Sequence, residues 1–329
     1  GVIKNPIVLA MNVEADELLE VELTQAEGGT VPFKVPPYPP GYIRGKPNGG
    51  IYKENVGEES GPPKLVYAYD FYIVKRMQDP ELGLVAVFHL ITPQDGLREF
   101  VVANNKLTDS MSVRREISTH GVLTNSSGYV LLTEYIIASL IHLQDNVRYE
   151  TMRVQFGWAD NFRKFIVGER EITAEGVYHS PAASVTQELA QYFQPSGSLE
   201  KWSEVFNLYN KEGMEVQAFA ALTGFGAPLL SFTGQKGALI NLIHGESGAG
   251  KTTVLRVANS VCGHPESLLG TPNDTAPAKI TKLGLLNSVV NTMDEMTNLS
   301  AKAISSFAYA VSQGKGNDKA DQKENKLRN

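Results

Sequence analysis

The sequence predicts an α/β protein with a parallel-sheet core over residues 196–329, preceded by an α+β module. Three observations carry this expectation. The octapeptide Gly245-Glu246-Ser247-Gly248-Ala249-Gly250-Lys251-Thr252 fits the phosphate-loop pattern G-x-x-x-x-G-K-[ST]. It follows a strand-length apolar run at 238–243 and opens a stretch in which Leu255, Ala258 and Cys262 recur at helical spacing. Upstream, residues 65–75, 84–92 and 98–103 alternate or run apolar as strands do, joined by turns at Asp79-Pro80 and Asp95-Gly96.

Taken in order, residues 1–64 read as a Pro/Gly-rich segment and linker. Pro36-Pro37-Tyr38-Pro39-Pro40-Gly41 and Gly61-Pro62-Pro63 are the strongest breakers, with a short strand near 50–53. Residues 65–195 read as an accessory module. Its three strands form an antiparallel sheet, and helices follow over 107–120 and 129–148, the second with Leu132, Ile136, Leu140 and Leu143 on one face. Residues 153–158 and 164–167 form a hairpin around Asp160-Asn161.

The core, 196–329, begins with helices over 199–211 and 214–232. The uncharged stretch 216–235 is long enough to consider as a membrane span. Its Gln, Gly, Pro, Ser and Thr residues favour a buried helix beneath the core sheet, packed through Phe219, Leu222, Phe225, Leu229 and Leu230. Further helices are expected over 252–262, 275–286 and 300–313.

The chemistry starts at the octapeptide. Gly245, Gly248 and Gly250 let the backbone curl until its N–H groups surround an anion, with Glu246, Ser247, Ala249 and Thr253 completing the cradle. The helix N-terminus beyond adds partial positive charge. Lys251 reaches the β/γ-phosphates, and the Thr252 hydroxyl is placed for Mg²⁺. A carboxylate partner is then required. Residues 289–295, Val-Val-Asn-Thr-Met-Asp-Glu, end a β-prone run in two acids; Asp294 is the metal ligand and Glu295 the residue that polarises water. Asn291 and Thr292 interrupt the apolar run, so either hydrogen-bonds inside the sheet or marks an edge. ATP and Mg²⁺ are the expected cofactors, although ATP and GTP share the phosphates that such a loop grips.

Composition narrows the class. The 329 residues are 42% hydrophobic and 20% charged, enough for a sizeable core and two domains. A single cysteine, Cys262, excludes an internal disulfide, and the six histidines lack ligand spacing. No basic-then-apolar leader is present at the start, so a cytoplasmic protein without a membrane segment is expected. The net charge of −6 argues against a generally basic nucleic-acid surface. Lysines gather only near the end, where Lys315, Lys319 and Lys323 sit in a polar stretch.

Between Thr252 and Asp294 there is room for about one helix, a compactness that resembles the ATPase core of superfamily three helicases, an AAA+-like fold. In that superfamily a lysine-bearing hairpin after the second motif touches nucleic acid in the pore of a homo-oligomeric ring. The resemblance casts Lys315, Lys319 and Lys323 as contacts to single-stranded DNA. Gly157-Trp158, Gly197-Ser198-Leu199-Glu200-Lys201-Trp202, Ala227-Pro228-Leu229-Leu230, Cys262-Gly263-His264-Pro265, Asp294-Glu295 and Ser312-Gln313-Gly314-Lys315-Gly316 fall in the order of domain of unknown function 927. These phage and mobile-element proteins resemble helicases fused behind primase-type modules.

The expected function is therefore the ATP-binding motor of a phage-type replicative helicase or primase-helicase. The alternative is a nucleotide-gated binding or regulatory module without unwinding. A small-molecule kinase would need lid arginines, and Arg256 alone lies between Lys251 and Arg328. The chain starts at Gly1 without methionine, and the resemblance implies a sensor residue and an arginine finger beyond Asn329, so both ends are expected to be cut and turnover to be incomplete.

Overall fold

A computed structural model describes residues 19–24, 30–45, 49–55, 61–235, 237–246, 248–271, 274–294 and 300–313. It is a mixed α/β structure with several sheets. Its described residues fall into two compact units, one up to Met152 and the other from Arg153 onward.

The first unit opens with an antiparallel pair, β1 (Leu19–Thr24) and β2 (Thr30–Val35). Next come β3 (Tyr42–Arg44), β4 (Ile51–Lys53) and β5 (Lys64–Tyr67), a three-stranded antiparallel sheet. The segment expected to be linker is thus built into the unit. Its anchor is the buried Asp70 carboxylate, which accepts from Arg44 Nε at 2.9 Å, Arg44 Nη2 at 2.6 Å, the Gly50 N–H at 3.1 Å and the Tyr38 hydroxyl at 3.3 Å.

Strands β6 (Asp70–Asp79), β7 (Gly83–Thr92) and β8 (Gly96–Ala103) form the expected antiparallel sheet in the order β8-β7-β6. A bulge in β6 at Ile73/Lys75 shifts its register. Helix α1 (Ser110–Thr119) starts at Asp109, whose carboxylate accepts from the Met111 and Ser112 N–H groups. Helix α2 (Ser126–Asn146) starts at Asn125 and lays Leu132, Tyr135 and Ile136 into the same core as Phe71, Phe88 and Leu90. The short β9 (Glu150–Thr151) pairs parallel with β6.

The second unit begins with an antiparallel meander of β10 (Gly157–Ala159), β11 (Lys164–Val167), β12 (Arg170–Thr173) and β13 (Val177–His179). Asp160, Asn161 and Phe162 all hold positive φ in the first hairpin, and Arg153 clamps the turn through Asp160 at 2.8 and 3.1 Å. Helices α3 (Gln187–Ala190), α4 (Leu199–Phe206), α5 (Glu215–Leu230) and α6 (Lys251–Ser260) follow. Then come β14 (Leu269–Gly270), α7 (Ala276–Leu286), β15 (Thr292–Met293) and α8 (Ala301–Gln313). Strands β14 and β15 pair in parallel.

Three expectations change. The division falls at Met152/Arg153 instead of 195/196. Its cause is one apolar cluster that joins Ile166 and Val167 of the meander, with the flanking Phe156 and Phe193, to Leu268, Leu286 and Val289. The Phe156 N–H also donates to the Leu285 carbonyl at 2.8 Å.

The second change concerns α5. Its large apolar residues were expected to be buried, yet Phe219 and Leu229 are each 61% exposed. The helix instead buries its small face, Ala220, Ala221 and Gly224, against α6. A Cβ on Gly224 would strike the Ala258 carbonyl, so close backbone approach selects the small residues. Stretches Ser126–Asn146 and Glu215–Thr233 are the two helices long and apolar enough to cross a membrane among the described residues.

The third change is the apolar run at 238–243. It forms no regular secondary structure, and Leu239, Ile240 and Ile243 are exposed. Only Leu242 packs inward, against Ala220, Ala221 and Val254. Periodicity marks a run as strand-capable, but a parallel strand forms only where a neighbour supplies the ladder.

Candidate phosphate-binding site

The loop between residue 244 and α6 is shaped by backbone geometry. Gly248 and Gly250 have φ of 82° and 79°, values at which an L side chain is strained. Gly250 is the N-cap of α6 and, lacking a side chain, supplies no cap hydrogen bond to the first turn. A helix start without a side-chain cap suits an anion. Gly245, Glu246 and Gly248 are exposed, while Ala249, Gly250, Lys251 and Thr252 are half-buried and Thr253 is exposed. Lys251 folds its Nζ back to the Glu246 carbonyl at 3.2 Å, and the Glu246 N–H donates to His244 Nδ1 at 3.1 Å. The lysine is thus parked over the loop by a single exposed hydrogen bond, which phosphate oxygens can replace.

Helix α6 is held on two sides. Val254 and Ala258 pack toward α5, and the Trp202 indole of α4 donates to Ser260 Oγ at 2.8 Å. On its remaining face α6 meets β15. Thr252 Oγ1 donates to Asp294 Oδ2 at 2.7 Å, which brings the two sequence motifs together. The Asp294 N–H donates to the Gly270 carbonyl at 3.1 Å, fixing its backbone at the end of the β14–β15 pair. Thr292 Oγ1 donates to Asn259 Oδ1 at 2.9 Å, and Asn259 Nδ2 donates to the Pro265 carbonyl at 3.0 Å.

Thr292 therefore interrupts the apolar run because it bonds to a helix. Asn259 was missed by sequence reading. Its signal was available: it lies seven residues after Thr252, so both occupy one helical face, and a carboxamide there needs a partner. Asn291, by contrast, finds no hydrogen-bond partner for its buried carboxamide among the described residues.

The chain matches a family model described as Domain of unknown function (DUF927) over residues 46–329. It belongs to that family. No curated protein matches this DUF927 chain.

The donor chemistry suits magnesium. A hydroxyl and a carboxylate are hard oxygen ligands, and Mg²⁺ in phosphate sites takes one or two protein carboxylates with water and substrate oxygens supplying the rest. Among the described residues there is no group of three or more His, Cys, Asp and Glu able to cage a metal, so the DUF927 site offers Thr252 and Asp294 as a partial ligand set. Ser247, Glu295, Lys315, Lys319 and Lys323 lie outside the described residues.

Proposed function

We propose that this DUF927 chain is the ATP-binding motor domain of a phage-type replicative helicase or primase-helicase, coupling Mg²⁺-dependent ATP hydrolysis to movement on nucleic acid. The observation that carries the nucleotide site is the 2.7 Å bond from Thr252 to Asp294, at the foot of a loop with two left-handed glycines. In this reading the loop N–H groups and Lys251 hold the triphosphate. Thr252 and Asp294 hold Mg²⁺, which when bound neutralises charge on the phosphates. The Thr252 hydroxyl could give a lone pair to the cation while its O–H still donates to Asp294 Oδ2. Glu295, next along the chain, orients the attacking water.

The movement on nucleic acid rests on motif order: loop, Asp294-Glu295, then Lys315, Lys319 and Lys323. Single-stranded DNA is the proposed track, and a homo-oligomeric ring the proposed assembly. The full-length protein is expected to hydrolyse ATP faster with single-stranded DNA present. Hydrolysis at one rate with or without DNA or RNA would leave the site a nucleotide-gated switch and remove the motor.

A further inference from the structure

We propose that Thr292, held by Asn259, is a positioning residue that sets the Asp294 carboxylate opposite Thr252. The inference rests on the reading of this site as a magnesium–nucleotide site.

Thr252 and Asn259 lie seven residues apart on α6, close to two full turns, and so share one face. Thr292 opens β15 and Asp294 follows its last residue, and the side chains of both bond to α6. Two matched rungs result, Thr252 to Asp294 at 2.7 Å and Asn259 to Thr292 at 2.9 Å.

The second rung is the more protected. Asn259 is fully buried and Thr292 is 5% exposed, whereas the Thr252–Asp294 bond is only part-buried. Asn259 cannot turn freely, because its Nδ2 is spent on the Pro265 carbonyl at 3.0 Å and its oxygen is thereby aimed at Thr292. The strand needs this help. Among the described residues Thr292 and Met293 pair with β14 and the Asp294 N–H adds a bond to the Gly270 carbonyl, contacts that hold the backbone along β14 but do not reach α6. The hydroxyl at 292 ties this short strand to α6 and so sets the acid two residues on against the helix.

The test is calorimetric binding of a nonhydrolysable ATP analogue to the intact chain, with Mg²⁺ and with EDTA. The ratio of the two affinities reports the metal, and the EDTA value reports the loop. In Thr292→Val the ratio is expected to fall about tenfold, with the EDTA affinity within twofold of wild type. Thr292→Ser, which restores the hydroxyl, is expected to recover the ratio. If valine prevents folding, Thr292→Ala is read in the same way. A lower melting temperature with an unchanged ratio would make Thr292 a structural tether and overturn the proposal. A wild-type chain that binds no analogue at all would instead remove the nucleotide reading, and this role with it.

Discussion

Thr252 Oγ1 and Asp294 Oδ2 stand 2.7 Å apart although 42 positions separate them in the chain. The bond joins the first turn of one helix to the end of one short strand, and it is part-buried. Removing its proton while keeping its shape is therefore informative. Thr252→Val is expected to weaken Mg²⁺-dependent nucleotide binding about tenfold while leaving binding in EDTA nearly unchanged, since one hydrogen bond to a charged group is worth about 1.5–3 kcal/mol. Paired titrations with and without Mg²⁺ measure this.

Gly250 holds φ of 79° with open space around the position of a Cβ. Gly250→Ala meets no clash there, so its cost is conformational alone, about 1–2 kcal/mol. Thermal denaturation is expected to show a fall of a few degrees. The same variant is expected to bind phosphate groups more weakly, because relief of the strain moves the N-cap of α6.

In the first unit, Arg44 compensates the buried Asp70 through two hydrogen bonds. Arg44→Met leaves that carboxylate without its cation and is expected to destabilise the chain by about 3 kcal/mol. Denaturant titration reads this directly, and a loss below about 1 kcal/mol would show the pair to be solvent-screened.

Burial pushes the Cys262 thiol up to about 11 from its usual value near 9. At pH 8 the folded protein then carries roughly a hundredfold less thiolate than an exposed cysteine. Reaction with a thiol-exchange reagent is expected to be slow when folded and fast in denaturant. Because the folded value is the raised one, the linked stability is complete below pH 9 and is lost as the pH climbs through 11.

Much of the fold was legible where local signals agree. Helices α1 and α7 begin at Asp109 and Thr275, capping residues whose side chains accept from the following turn. The sheet of β6, β7 and β8 follows from alternation and two turn dipeptides. What stayed illegible depends on neighbours distant in sequence. The face of α5 was misjudged because hydrophobicity ranks Phe219 and Leu229 above Ala220 and Gly224, while the packing with α6 is decided by close approach. The unit boundary was misplaced because the meander's core partners, Leu268, Leu286 and Val289, lie about a hundred positions downstream. The glycine-lysine octapeptide was readable as a motif, and the bond from Thr252 to Asp294 joins it to the second motif. Asn259 carries only the weaker signal of its spacing from Thr252, and its partner Thr292 is identified only once the strand lies beside the helix.

The central claim is a triphosphate site closed by Lys251 and served by Thr252 and Asp294. Its most direct test is equilibrium binding of ATP with Mg²⁺ to wild type and to Lys251→Ala under identical conditions. Loss of a charge-assisted phosphate contact predicts saturable wild-type binding that weakens at least thirtyfold in the variant, with the melting temperature of the free protein little changed. Equal binding by both proteins, or none by wild type, would contradict it.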